Sequence, residues 1–153
     1  MKYEIIELKE KQVVGLLVRT TNENMQAAKD IASLWQNFIS KGIYENINYK
    51  IDHKTIGLYT DYEKDHTKPY NFMTCCEVSS ISDLHDPLQT KIIKAGKYAK
   101  FSIRGHLQKD VLNAWQNIWS LDLDRTYESD FEIYHNNSED INDQIIDIYI
   151  SIR

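Results

Sequence analysis

Residues 3–9 and 12–20 are apolar-rich and β-branched, with the charged triplet Lys9-Glu10-Lys11 at the break. Such runs predict strands, and so short a charged break predicts that the two form a hairpin. The pattern then changes. Ala28, Ile31, Leu34, Trp35, Phe38 and Ile39 recur at spacings of three and four, which places them on one face of a helix. Asn22 or Asn24 can cap its start, the helix runs to about Ser40, and Lys41-Gly42 supplies a stop. Residues 56–62 and 71–80 read as two more strands.

The plan then returns. Residues 90–94 and 97–104 read as strands around Ala95-Gly96, and a helix over 108–120 carries Val111, Leu112, Trp115, Ile118 and Trp119 on its apolar face. Residues 130–135 and 144–151 read as closing strands. Each half is thus β-β-α-β-β. Side chains recur as well: Trp35-Gln36-Asn37 returns as Trp115-Gln116-Asn117 at an offset of 80, Lys9 and Arg19 match Lys94 and Arg104 at 85, and Tyr59 matches Tyr134 at 75. The offset changes only between predicted elements, as a structural duplication requires. Residues 80–89, with Asp83, Asp86 and Pro87, link the halves and are too few to separate two domains. The expectation is a single domain over 1–153, with repeats at about 1–80 and 90–153, and a ligand cleft in the groove where they meet.

At 153 residues and 42% hydrophobic, the chain is long enough for a sizeable core. No apolar run approaches the length of a membrane span, and Met1-Lys2-Tyr3-Glu4 lacks the apolar region of a signal peptide, so a cytoplasmic protein is expected. The adjacent Cys75 and Cys76 point to opposite faces of a strand and form no disulfide framework. A formal charge of -5, with no basic block and no helix-turn-helix pattern, argues against direct nucleic-acid binding. Ten tyrosines, four phenylalanines and three tryptophans suit a cationic or aromatic small molecule better.

Several stretches together resemble the GyrI-like effector-binding family. They are Ile31-Ala32-Ser33-Leu34-Trp35-Gln36-Asn37-Phe38; Gly57-Leu58-Tyr59-Thr60-Asp61-Tyr62-Glu63-Lys64-Asp65 with Tyr70; Ala95-Gly96-Lys97-Tyr98-Ala99-Lys100-Phe101 with Gly105 and Trp115-Gln116-Asn117-Ile118-Trp119; and Phe131-Glu132-Ile133-Tyr134 with Ile146-Asp147-Ile148-Tyr149-Ile150. The second of these points to the integron-cassette and AraC-type branch. The resemblance implies an α+β fold of duplicated units with pseudo-two-fold symmetry, a curved antiparallel sheet with its helices on one side, and a ligand cleft between the halves. It also implies binding of bulky, often cationic aromatic compounds, as in multidrug-responsive transcription regulators, with Glu132 as the central acidic residue. The chain departs from the family pattern at Phe72-Met73-Thr74-Cys75-Cys76-Glu77-Val78, where many relatives carry a glycine-rich strand; bulkier residues there would reshape the pocket.

Within Phe131-Glu132-Ile133-Tyr134 the strand period puts Glu132 and Tyr134 on one face and Phe131 and Ile133 on the other. If the latter pair faces the helices, Glu132 and Tyr134 face the cleft. The repeat mate of Glu132 is Gly57, so only one half supplies the charge. A carboxylate among aromatic rings attracts a cation by charge and by the ring faces. Tyr59, Tyr70, Tyr98 and Tyr149 are the further candidates from the tyrosines, which also include Tyr44 and Tyr62; Tyr149 is placed beside Tyr134 because Ile148 and Ile150 occupy its opposite face. Trp119, near a helix end, is expected to reach the cleft, whereas Trp35 and Trp115 are expected to be core. Asp61, Glu63 and Asp65 alternate, but His66 and Phe72 stand where a calcium loop needs glycine and an acid, and the five histidines are scattered, so neither a metal nor a cofactor is expected.

These readings favour a stand-alone module that binds a small organic ligand and is tied to transcription regulation, acting with a separate regulatory protein. They favour a binder over an enzyme, since no nucleophile elbow, zinc motif or phosphate loop is present. The resemblance keeps two alternatives open: a small-molecule hydrolase with Glu132 as general base, and a gyrase-inhibitor-like protein-interaction domain.

Overall fold

The computed structural model describes residues 1–153. Its elements follow in the order β1 (Glu4–Leu8), β2 (Lys11–Thr20), α1 (Gln26–Ser40), β3 (Thr55–Thr60), β4 (Tyr70–Glu77), β5 (Gln89–Ile93), β6 (Gly96–Gly105), α2 (Lys109–Trp119), β7 (Ser129–Tyr134) and β8 (Gln144–Ser151). This is the doubled β-β-α-β-β plan that the periodicity predicts. One antiparallel sheet contains all eight strands, ordered β1-β6-β8-β7-β3-β4-β2-β5. Replacing each strand by its repeat mate reverses that order, so a pseudo-two-fold axis passes between β3 and β7.

The expected hairpin of β1 and β2 does not form. β1 pairs with β6, while β2 pairs with β4 and β5. The two strands lie near opposite ends of the sheet although only Lys9 and Glu10 connect them, and Lys94 and Ala95 join β5 to β6 in the same way. So short a link reaches about 10 Å at most. The ends of the sheet must therefore approach each other, and the sheet curls. Each half lends its first strand to the other.

The curl buries the face away from the helices. Leu58, Met73 and Phe131 have no exposed surface there, and Phe131 stacks on Tyr149 at 4.6 Å and meets the Tyr98 ring edge-on at 5.6 Å. On the other face α1 packs over β2 and β4, with Phe38 fully buried. Val111, Ala114, Trp115 and Ile118 of α2 pack against Ala99 and Phe101 of β6 and Ile146, Ile148 and Ile150 of β8. Both central strands, β3 and β7, thus run beneath the gap between the helices. Covered on both sides, β3 and β4 are buried along nearly their whole length. Neither helix is long and apolar enough to cross a membrane.

Neither Asn22 nor Asn24 caps α1. A 3₁₀ turn, Glu23–Met25, precedes the helix, with Asn24 and Met25 in the left-handed region at φ 54° and 59°. Asn22 ties loops together instead: its amide donates to the His66 carbonyl, and its side-chain oxygen accepts from the Tyr70 hydroxyl at 2.7 Å.

Candidate ligand-binding site

The β3–β7 register sets Gly57 directly opposite Glu132. They are also repeat mates, so the pseudo-axis runs through this pair. Only one of the two can carry a side chain. A Cβ on Gly57 would lie 2.8 Å from Glu132 Oε1 and 3.2 Å from the Phe72 ring. The duplication is thus broken where two equivalent side chains would collide on the axis.

Glu132 is 3% exposed, and three neutral donors hold its carboxylate. Trp115 Nε1 donates to Oε2 at 2.6 Å, Tyr134 Oη to Oε1 at 2.8 Å, and Tyr59 Oη to Oε2 at 3.5 Å. Burial raises the pKa of the carboxyl group, against the pull of these hydrogen bonds. Burial, followed by the nearby carboxylate charge, pushes the Tyr59 and Tyr134 hydroxyls well above their ordinary value, so both remain donors.

This shift has a signed consequence. With its folded pKa raised, Glu132 keeps its proton to higher pH in the folded state than in the unfolded chain. Its contribution to stability is complete below the unfolded pKa and is lost as pH rises through the raised folded value. Across that window, wild-type stability is expected to fall relative to Glu132→Gln, as read by urea unfolding at a series of pH values. Parallel curves for the two proteins would show an unperturbed carboxyl group.

Aromatic rings frame the carboxylate symmetrically. Tyr59 meets Trp115 at 5.3 Å, and their repeat mates Tyr134 and Trp35 meet at 5.4 Å. A cavity lies on each side. One, of about 510 Å³, is walled by Trp35, Gln36, Ile39, Leu107, Gln108 and Tyr134 among others. The second, of about 240 Å³, is walled by Ala27, Ala28, Tyr59, Leu112, Trp115 and Trp119 among others. Ala27 and Leu107, Ala28 and Gln108, Ile39 and Trp119, and the Tyr–Trp pairs are repeat mates, so the cavities are two versions of one half-site.

Of the residues singled out from sequence, Glu132, Tyr134, Tyr59, Tyr70 and Trp119 gather on the helix face, and Tyr62 joins them in the wall of the smaller cavity. Tyr98 and Tyr149 do not. Tyr149 sits opposite Phe131 in register, and Tyr98 packs on that same phenylalanine, so both belong to the curled back face. The assumption that Phe131 and Ile133 face the helices is reversed: they face away, and Glu132 points between the helices. Both faces of β7 and β8 are covered, so apolar neighbours did not mark the helix side. Tyr44 packs on Phe38 and under Lys50, away from both cavities. Asp61 is held by Lys91 at 2.7 Å and by Asn71.

Trp35 and Trp115, expected as core, are walls of the site. The available signal was that both sit in the repeated Trp-Gln-Asn tripeptide. A buried indole N–H also needs an acceptor, and a carboxylate was the strongest one within reach.

The model of a family described as integron-associated effector-binding proteins matches residues 4–152. The chain belongs to this family. As an effector-binding protein it is 30% identical to an integron cassette protein from the mobile metagenome of Vibrio cholerae. The match covers 99% of this chain and 95% of that one, with a TM-score of 0.76. It is 29% identical to YobU of Bacillus subtilis (strain 168), whose name places it provisionally among transcriptional regulators, over 97% of this chain and 96% of that protein. SAV2435, whose structure holds tetraphenylphosphonium, shares the fold at a TM-score of 0.81 and 18% identity, over 100% of this chain and 94% of that one. The duplicated α+β architecture implied by the family resemblance is therefore the architecture found.

Proposed function

We propose that this effector-binding protein captures a bulky aromatic cation over Glu132, and that occupancy is passed to transcription through a separate DNA-binding partner. The observation that carries this reading is a buried carboxylate, held only by neutral donors, between two ring-walled cavities. Burial without a countercharge costs free energy that an incoming cation returns. The indole and phenol faces add cation–π attraction. Reaching the carboxylate requires the Tyr59 or Tyr134 ring to move aside, so the ligand replaces a hydrogen bond with a full charge. Capture is favoured over hydrolysis because three neutral donors already take three of the carboxylate's roughly four lone-pair sites, which blunts it as a base toward water.

The test is charge selectivity at matched shape. Tetraphenylphosphonium, the cation found in SAV2435, is expected to quench tryptophan fluorescence and to bind at least about tenfold more tightly than its isosteric anion tetraphenylborate. Equal affinities would remove the electrostatic basis of the proposal.

A further inference from the structure

The two cavities share an aromatic frame but differ in charge. No charged side chain walls the larger one, whereas Arg125 walls the smaller. The Arg125 side chain is 9% exposed. A guanidinium presents a planar fork of N–H donors. Here Nη2 donates to Asp130 Oδ2 at 2.8 Å, and the buried Nε has no partner. The Tyr127 ring lies 4.3 Å from Cζ and supports the guanidinium plane.

Asp130, by contrast, is saturated. It has no exposed surface, Tyr62 Oη also donates to Oδ2, and the Ser151 backbone N–H and hydroxyl donate to Oδ1. The carboxylate is fully used and the guanidinium is not. In the other half the equivalent residue is Lys50, since Lys50 bridges Val78 as Arg125 bridges Ile152. The Lys50 ammonium is consumed by the carbonyls of Tyr44 and Ile47 at 2.9 and 2.8 Å. Duplication has therefore left an underused cationic donor at one cavity only.

We propose that the smaller cavity is a subsite for a carboxylate, so that the molecule captured is a zwitterion with an aromatic cation over Glu132 and a carboxylate on Arg125. The proposal rests on the reading of Glu132 above. Asp130 and Glu132 lie two residues apart on one strand face, a separation of about 7 Å, which sets the scale of the distance between the ligand's two charges. Such a ligand neutralises Glu132 and also engages the donors of Arg125 that Asp130 leaves open; a simple cation does only the first. The larger cavity, with glutamines and no ion, takes the uncharged arm.

Rhodamine 110 and rhodamine 123 test this, because they share one cationic ring system and differ in that the second carries its carboxyl group as a methyl ester. Wild-type protein is expected to bind rhodamine 110 about tenfold more tightly, by fluorescence anisotropy. In the double variant Arg125→Gln/Asp130→Asn, which removes the two charges together, the ratio is expected to fall to near one. Arg125→Lys, which keeps a charge for Asp130 but loses the fork, is expected to lower the ratio at least threefold, and melting curves confirm that each variant is folded. Preference for the ester in wild type, or a ratio unchanged in the variants, overturns the subsite. Equal binding of both dyes that is lost in Glu132→Gln overturns the subsite alone. Failure of wild type to bind either dye overturns the Glu132 reading with it.

Discussion

Glu132→Gln is expected to weaken tetraphenylphosphonium binding about a hundredfold while changing the unfolding free energy by less than about 1 kcal/mol. The two effects separate because they draw on different properties of the side chain. A unit charge a few ångströms from a carboxylate gains about 3–4 kcal/mol at an effective dielectric constant near 20. Part of that is spent displacing a tyrosine hydroxyl, which leaves the equivalent of about two decades of affinity. Stability depends on shape and hydrogen bonding, which glutamine nearly preserves. Its carbonyl oxygen can accept from Trp115, and its amide can donate to the Tyr134 hydroxyl oxygen. Loss of a charge-assisted hydrogen bond is offset by release from the cost of burying the charge. Fluorescence titration and urea unfolding measure the two quantities independently. Unchanged affinity would place the cation elsewhere in the molecule.

Gly15→Ala is expected to cost about 3 kcal/mol of stability and to lower the melting temperature by about 10 °C. An added Cβ would overlap the Thr74 carbonyl oxygen and come within 2.7 Å of Cys75 Cα. These are backbone atoms of the neighbouring strand, and they cannot rotate away. Nor can β2 retreat, because it is paired with β4 on one side and β5 on the other. Gly57 makes a useful contrast. The atoms nearest an added Cβ there are the ends of the Glu132 and Phe72 side chains, which can give at the expense of site geometry. The Gly15 clash falls on the fold and the Gly57 clash falls on the site. A loss below about 1 kcal/mol in Gly15→Ala, by denaturant unfolding with an unchanged slope, would show that β2 slides against β4 more freely than its ladders suggest.

Much of the architecture was legible in the chain before any coordinates. Strand and helix periods are local properties, set by which side chains share a face over a few residues, and they located every major element to within a few positions. The repeat was legible because duplication leaves aligned residues, Trp35 with Trp115 and Tyr59 with Tyr134. The pairing of Glu132 with Tyr134 on one face followed from strand parity alone, and the match of Glu132 to Gly57 exposed the broken symmetry before the register showed why it breaks.

Only the tertiary structure decided which strands meet and which face is which. A short charged break between β1 and β2 fits a hairpin locally. In the folded chain β1 joins β6 and β2 joins β5, because pairing is settled by contacts far apart in sequence. Parity sorts side chains into two sets without saying which set faces the helices. Where the curled sheet buries its back as thoroughly as the helices bury its front, hydrophobicity does not distinguish them, and Tyr98 and Tyr149 fall on the side away from the carboxylate. The sequence alone determined a doubled unit with one acidic residue near its axis. The fold decided that this residue is buried beneath Trp115, Tyr59 and Tyr134, with Arg125 at one cavity and no matching ion at the other, because those distances are set by packing across the whole sheet.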